Sequence, residues 1–319
     1  MRRTVDPVDN RSDIRDFLTT RRARITPEQA GLLPGGGRRR VAGLRREEVA
    51  VLAGVSTDWY TRLEKGHIAG VSDDVLEAVA RALQLDEAER TYLFDLARAA
   101  ARPPRTPQRR SRAQLQPRVQ WMLDSMTGSA AFVANGRLDI LATNALGWAL
   151  HSPLFDGPRR PANFARFQFL DPRAHDYYPD WDGATNVTVA LLRAEAGRRP
   201  HDAQLRELVG ELSTVSEEFR TRWAAHDVRI HSNGTKHFHH PLVGALGLGY
   251  CTLDLPAEDA VGLRLTIYTA EPGTPSEDGL KLLASWAATN PATVTADQPA
   301  PAGPDRGSGD IDRPVIAGG

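Results

Sequence analysis

The sequence predicts a multidomain chain, an all-α unit followed by an α+β unit, and three observations lead there. The first is charge. The 319 residues balance 40 basic against 40 acidic side chains, yet residues 1–113 hold 22 Lys and Arg against 16 Asp and Glu, a net of +6, which leaves the remainder at −6. The second is punctuation: residues 101–112 combine proline with like charges, cannot bury an apolar face, and read as a linker. The third is periodicity. Apolar residues recur at helical spacing before the linker, whereas strand-like runs and helical runs both follow it. The expected division is a flexible start at 1–12, a helical domain at 13–100, a linker at 101–113, a mixed domain at 114–289 and a disordered Pro, Ala, Gly and Asp tail at 290–319. No run of about 18 apolar residues points to a membrane span, and no apolar segment follows Arg2 and Arg3 as in a signal peptide, so the expected location is the cytoplasm. A single cysteine, Cys251, excludes an internal disulfide framework and a Cys-based zinc finger.

The helical unit opens on residues 13–24, where Ile14, Phe17 and Leu18 share a face. Residues 24–44, with Pro34 and Gly35 to Gly37, read as an extended loop. Ser72 is an N-cap candidate for a helix carrying Val75, Leu76, Val79, Ala80 and Leu83. Asp86 with Glu89 three residues on resembles a capping box, ahead of a helix with Tyr92, Leu93, Leu96 and Ala97 on one side.

Between these lies residues 45–66. Two short helices joined by a tight turn need a small residue at the crossing and a glycine able to take positive φ at the turn. Ala50 and Gly54 fit those places, with Val49, Ala53, Val55, Tyr60 and Leu63 inside. Ser56, Thr57, Asp58, Thr61, Arg62 and Lys65 are left outside, so the segment reads as a helix-turn-helix with a polar recognition helix. An ordinary helical hairpin shares the glycine turn, but the basic balance of this half favours a polyanionic partner, double-stranded DNA. Thr57, Asp58 and Arg62 are the candidates for base edges, Arg62 for guanine O6 and N7. Arg45 and Arg46 belong by the phosphates. Trp59 either leans on the sugar-phosphate or closes the core. Arg38, Arg39 and Arg40, in the loop, reach a phosphate strand or a narrow minor groove, or form a solvated cluster.

After the linker, residues 130–134 and 138–142 read as two strands around Asn135-Gly136, a type I′ hairpin signal. Helices are expected at 144–150, 180–196, 202–212 and 216–225, with Asp202 and Ser216 as N-caps, and strands at 228–232, 236–238, 246–253 and 263–269 before a last helix at 276–288. An antiparallel sheet with helices inserted between early and late strands is a PAS-like layout. Five of the nine histidines, His226, His231, His237, His239 and His240, fall within residues 226–240. His237 and His239 would share a strand face, but a closed metal site needs more ligands than the pattern supplies, so no metal and no cofactor are expected. No nucleophile elbow accompanies Ser232 or Cys251, no catalytic residues are expected, and the chain does not read as an enzyme.

Residues 43–50 (Gly-Leu-Arg-Arg-Glu-Glu-Val-Ala), 53–56 (Ala-Gly-Val-Ser) and 60–66 (Tyr-Thr-Arg-Leu-Glu-Lys-Gly) resemble the helix-turn-helix of XRE-family transcription regulators. The Arg-rich loop ahead of them resembles the MmyB-like branch. Asp180-Trp181, Leu192-Arg193, residues 220–228, 234–236, 240–244 and 268–273 are similar to the signature of that branch's C-terminal domain. The resemblance spans roughly residues 13–289. It implies a lambda-repressor-like helical domain, a PAS-like ligand-binding domain and structural use of His226-Asp227 and His240-Pro241. It also implies a pocket for a small apolar, fatty-acyl-like molecule. Candidates to line that pocket are Phe132, Leu141, Trp148, Phe167, Phe169, Val187, Leu191, Phe219, Trp223, Leu248 and Tyr250, each of which serves equally as plain core. The expected protein is a DNA-binding regulator, a repressor, acting as a homodimer on a pseudo-palindromic operator. Two other readings stay open: a C-terminal domain that binds a partner protein, and an enzyme or metal sensor built on the histidines.

Overall fold

The computed structural model describes residues 10–32, 41, 43–101, 115–157, 159–225, 233–255 and 262–290. The tail expected from 290 and the linker expected at 101–113 lie outside the described residues, apart from Asn290 and Ala101. Helices α1 (Asn10–Arg24), α2 (Arg46–Ala53), α3 (Thr57–Glu64), α4 (Asp73–Ala82) and α5 (Glu87–Ala101) form the first unit. Their apolar stripes converge on one core that includes Phe17, Leu18, Val49, Tyr60, Leu76 and Leu93. The capping box of α5 is made as its spacing implies: the Asp86 amide donates to the Glu89 carboxylate at 3.2 Å and the Glu89 amide to Asp86 at 2.9 Å. Ser72 stands at the N-cap of α4 without a side-chain cap bond. The expected loop begins as a turn over residues 27–31.

The second unit runs α6 (Pro117–Ser125), β1 (Ala130–Ala134), β2 (Ile140–Thr143), α7 (Ala145–Leu150), α8 (Ser152–Phe155), α9 (Phe164–Leu170), α10 (Arg173–Tyr177), α11 (Trp181–Arg198), α12 (Ala203–Val215), α13 (Glu217–Ala224), β3 (Asn233–His240), β4 (Gly244–Leu255), β5 (Leu263–Thr269) and α14 (Pro275–Thr289). The sheet is antiparallel in the order β2-β1-β5-β4-β3. Asn144, Asn163, Asp180, Asp202, Ser216 and Thr274 cap their helices, each accepting a backbone N–H. One sheet face meets the helices in a core rich in aromatic rings. The other meets α6 through Leu123, Val133 and Leu265.

Two expectations change. The β1–β2 turn is not type I′, because neither Asn135 nor Gly136 takes positive φ; Leu138 does, at 66°. The Asn135 carboxamide oxygen instead accepts from the amides of Arg137 at 2.9 Å and Asp139 at 3.1 Å, so the side chain replaces the backbone turn and moves the second strand to start at Ile140. Four helices, α6, α8, α9 and α10, stand where none was expected. The strand expected at 228–232 lies outside the described residues. Among the described residues no helix is long and apolar enough to cross a membrane.

Asn144 ties the second unit together. Its oxygen accepts from the amides of Ala131 at 3.0 Å and Gly147 at 2.7 Å, and its nitrogen donates to the carbonyls of Met126 at 2.6 Å and Ser129 at 2.7 Å. Gly147 lets α7 lie against β1, since a Cβ there would stand 2.2 Å from the Ala131 carbonyl oxygen.

Candidate DNA-binding surface and effector core

The two helices of the motif cross where Ala50 is buried, and Gly54 caps α2 at φ 67°, ψ 29°, a conformation that costs a residue with a Cβ. The Val55 amide then bonds the Ala50 carbonyl at 2.9 Å, turning the chain into α3. Ser56 is spent on capping α3, its hydroxyl accepting from the Trp59 amide at 3.2 Å. Thr57, Asp58, Arg62 and Lys65 are exposed, Thr61 is half-buried, and Tyr60 and Leu63 point into the core. Trp59 is partly buried and packs against the core's edge.

Behind α3 lies a charge network that the sequence reading missed. Glu64, 1 % exposed, accepts from Arg22 at 2.7 and 3.1 Å and from Arg46 at 2.8 Å, while Arg22 also donates to the Leu44 carbonyl at 2.8 Å. Burial pushes the Glu64 carboxyl up, but the hydrogen bonds and charges of Arg22 and Arg46 outweigh it and hold the group below its ordinary value. Arg46 therefore braces α2 against α3 while about half of its side chain stays exposed. Arg45 sits at the N-cap of α2, its amide donating to Glu48 at 2.7 Å and its side chain pairing with Glu47 at 3.3 Å. Arg38, Arg39 and Arg40 lie outside the described residues.

In the second unit Phe132, Phe167, Phe219 and Leu248 are buried in the aromatic core, and Trp148, Phe169, Leu191, Trp223 and Tyr250 pack against it partly exposed. Trp148 stacks on Trp286 at 5.4 Å, and Phe169 meets Phe219 edge-on at 5.1 Å. Leu141 faces the other side of the sheet, with the α6 cluster, and Val187 is half-buried outside the aromatic core. Neither joins the set.

The centre of that core is His151, which sequence reasoning passed over because one histidine after an apolar helix carries no pattern. It is 1 % exposed, ringed by Phe132, Phe164, Phe238 and Tyr268 at 5.1–5.9 Å. The Tyr177 hydroxyl donates its one proton to the Leu150 carbonyl at 2.7 Å, so at 3.2 Å it accepts from His151 Nδ1–H. That leaves His151 Nε2 as a buried acceptor without a hydrogen-bond partner. Burial, with the charge of Lys236 behind it, pushes His151 down to about 3, so the ring is neutral. Lys236 places its ammonium 4.9 Å from the Tyr178 ring centre, and burial, opposed by Asp180, lowers it to about 8. Strand alternation is the signal that reveals this residue: Phe238 and His240 of β3 are buried on the core side, Lys236 shares their parity, and His237 and His239 are exposed on the other face.

His240 is held by the Ala149 carbonyl at 3.0 Å and the Leu242 amide at 3.2 Å, a bonding role. His226 and His231 lie outside the described residues, and among the described ones no three His, Cys, Asp or Glu side chains are grouped as a metal site needs.

Comparison with protein families matches residues 36–93 to a helix-turn-helix domain and residues 115–283 to the MmyB-like transcription regulator ligand binding domain. No curated protein matches the chain. The ligand-binding match alone covers more than half of the 319 residues, and it begins where the mixed α+β unit begins. The chain therefore belongs to the MmyB-like transcription regulators, a helix-turn-helix unit joined to a ligand-binding unit.

Proposed function

We propose that the protein is a repressor that binds a pseudo-palindromic operator as a homodimer in the cytoplasm and that its ligand-binding domain, not an enzyme, senses a small, mainly apolar molecule. The observation that carries the reading is the outer face of α3, where Thr57, Asp58, Arg62 and Lys65 are exposed on a helix braced from behind by Glu64. Arg62 serves base recognition, Arg45 and Arg46 the phosphates, and Arg38 to Arg40 a neighbouring strand or groove. In the ligand-binding domain, the core is mainly apolar, with His151 Nε2 unpartnered inside it and the Lys236 ammonium against the Tyr178 ring, which suits a small molecule with one polar end. An effector that prefers one arrangement of the recognition helices shifts DNA affinity in that direction.

Selection of bound duplexes from a random pool, followed by affinity measurements, tests this. Arg62→Ala is expected to cost about 1–3 kcal/mol at one base position and to relax specificity there. Arg46→Ala should weaken all sequences alike. Equal losses on selected and random duplexes for both variants would show that α3 does not read bases. Native mass spectrometry of the purified chain, with denaturing extraction, is expected to release a small apolar molecule; a partner protein retained in its place would favour the partner-binding reading.

A further inference from the structure

Helix α11 belongs to both halves of the molecule. Val189 and Leu192 are buried in the aromatic core, and the Thr188 hydroxyl bonds the Gln168 side chain at 2.6 Å. The opposite face of the same helix lies on α5 of the DNA-binding unit. Gly197 is the contact that permits it: a Cβ there would stand 2.5 Å from Tyr92 Cε2. Leucine is a better helix former than glycine, so helix propensity does not call for glycine here, and close approach does. Beside it Arg198 pairs with Asp95 of α5 at 3.2 Å.

Arg193 lies at the centre of this joint and is 1 % exposed. Its guanidinium stacks 4.2 Å from the Trp223 ring centre and donates to the Trp223 carbonyl, both within the ligand-binding unit. It also stands 3.9 Å from the Asp13 carboxylate of α1, and its charge acts against the burial that pushes the Tyr92 hydroxyl up. Its Nε has no hydrogen-bond partner. The cation thus meets the ligand-binding unit through Trp223 and the DNA-binding unit through Asp13 and Tyr92. A groove of about 260 Å³, lined by Tyr92, Asp95, Ala194 and Arg198 among others, runs alongside.

We propose that α11 is the coupling element between the two units: its inner face belongs to the effector core, its outer face docks the DNA-binding unit, and Arg193 is the buried joint that sets how firmly that unit is held. The effector half rests on the function proposed above; the docking half does not. A movement of α11 caused by an occupant of the core changes the seat of α1 and α5, and with it the placement of α3.

The full-length chain offers one native spin-label position, the exposed Cys251 in the ligand-binding sheet, and Val51→Cys, at a site 74 % exposed on α2, supplies the second. Pulsed electron spin resonance on this pair, with the labelled chain diluted into excess unlabelled chain so that only distances within one protomer are read, is expected to give one narrow distance distribution. Gly197→Leu should broaden it, with helicity and each unit's unfolding transition retained. Arg198→Glu should broaden it too, and adding Asp95→Arg should narrow it again. In unlabelled protein Gly197→Leu should change affinity for a selected duplex at least about fivefold. An unchanged distribution in Gly197→Leu and Arg198→Glu overturns the docking, and a broadened distribution with unchanged DNA affinity overturns the coupling. Failure of the wild type to bind any duplex would count against the proposed function and leave the distances to decide the docking.

Discussion

Replacing Glu64 with alanine is expected to destabilise the DNA-binding unit by about 3–5 kcal/mol, the cost of leaving a buried charge without its partner. Arg22, with 11 % of its side chain exposed, loses both carboxylate bonds and keeps the Leu44 carbonyl, while Arg46, half exposed, returns to water and adds little. Denaturant unfolding of the wild type and variant measures this, and a loss below about 1 kcal/mol would mean that the network contributes little. A pH dependence follows. The carboxyl sits below its ordinary value of 4.5 in the folded chain, so its contribution is complete above the unfolded value and is lost as pH falls through the folded one. Wild-type stability should therefore fall on acidification below about pH 4.5, and Glu64→Gln, which cannot titrate, should flatten that slope.

Asn144→Ala should cost the ligand-binding unit about 3 kcal/mol or more, because one side chain satisfies two buried amides and two carbonyls on four different segments, and each orphaned group costs roughly 1–3 kcal/mol. Asn144→Ser retains an N-cap for α7 and should recover about 1 kcal/mol. Chemical unfolding followed by tryptophan fluorescence, with five of the six tryptophans in this unit, reports on it. A loss equal to that of a simple cap, about 1 kcal/mol, would show that the strand and loop bonds are replaced by water.

Much of this architecture is written in local pattern. The amphipathic stripes of α1, α4 and α5, the turn glycine Gly54 and the caps Asp202 and Ser216 act over a few residues, and such features are legible without a structure. What escaped depends on partners distant in the chain. The short helices α8, α9 and α10 carry too few turns for a period to emerge, and they exist because they close over β1, β2 and β3. Glu64 reads as one more charge on α3 until Arg22, 42 residues earlier, folds back onto it. Asn135-Gly136 names a hairpin but not its type, because the side chain of Asn135 competes with the backbone for the turn's amides. His151 and Lys236 look like solvated residues in a list; the end of α7 carries the first into the aromatic core, and the parity of β3 turns the second to the core side.

The strand order has a consequence for synthesis. In the sheet, β1 lies between β2 and β5, and β5 is the last strand made. A ribosome adding roughly 5–20 residues per second emits β1 on the order of ten seconds before its second neighbour. The helical unit of residues 10–101, which has a core of its own, is synthesised before either strand appears. A nascent chain thus presents the helix-turn-helix unit while β1 still has an unpaired edge, and a premature stop between β2 and β5 would leave that edge open for good.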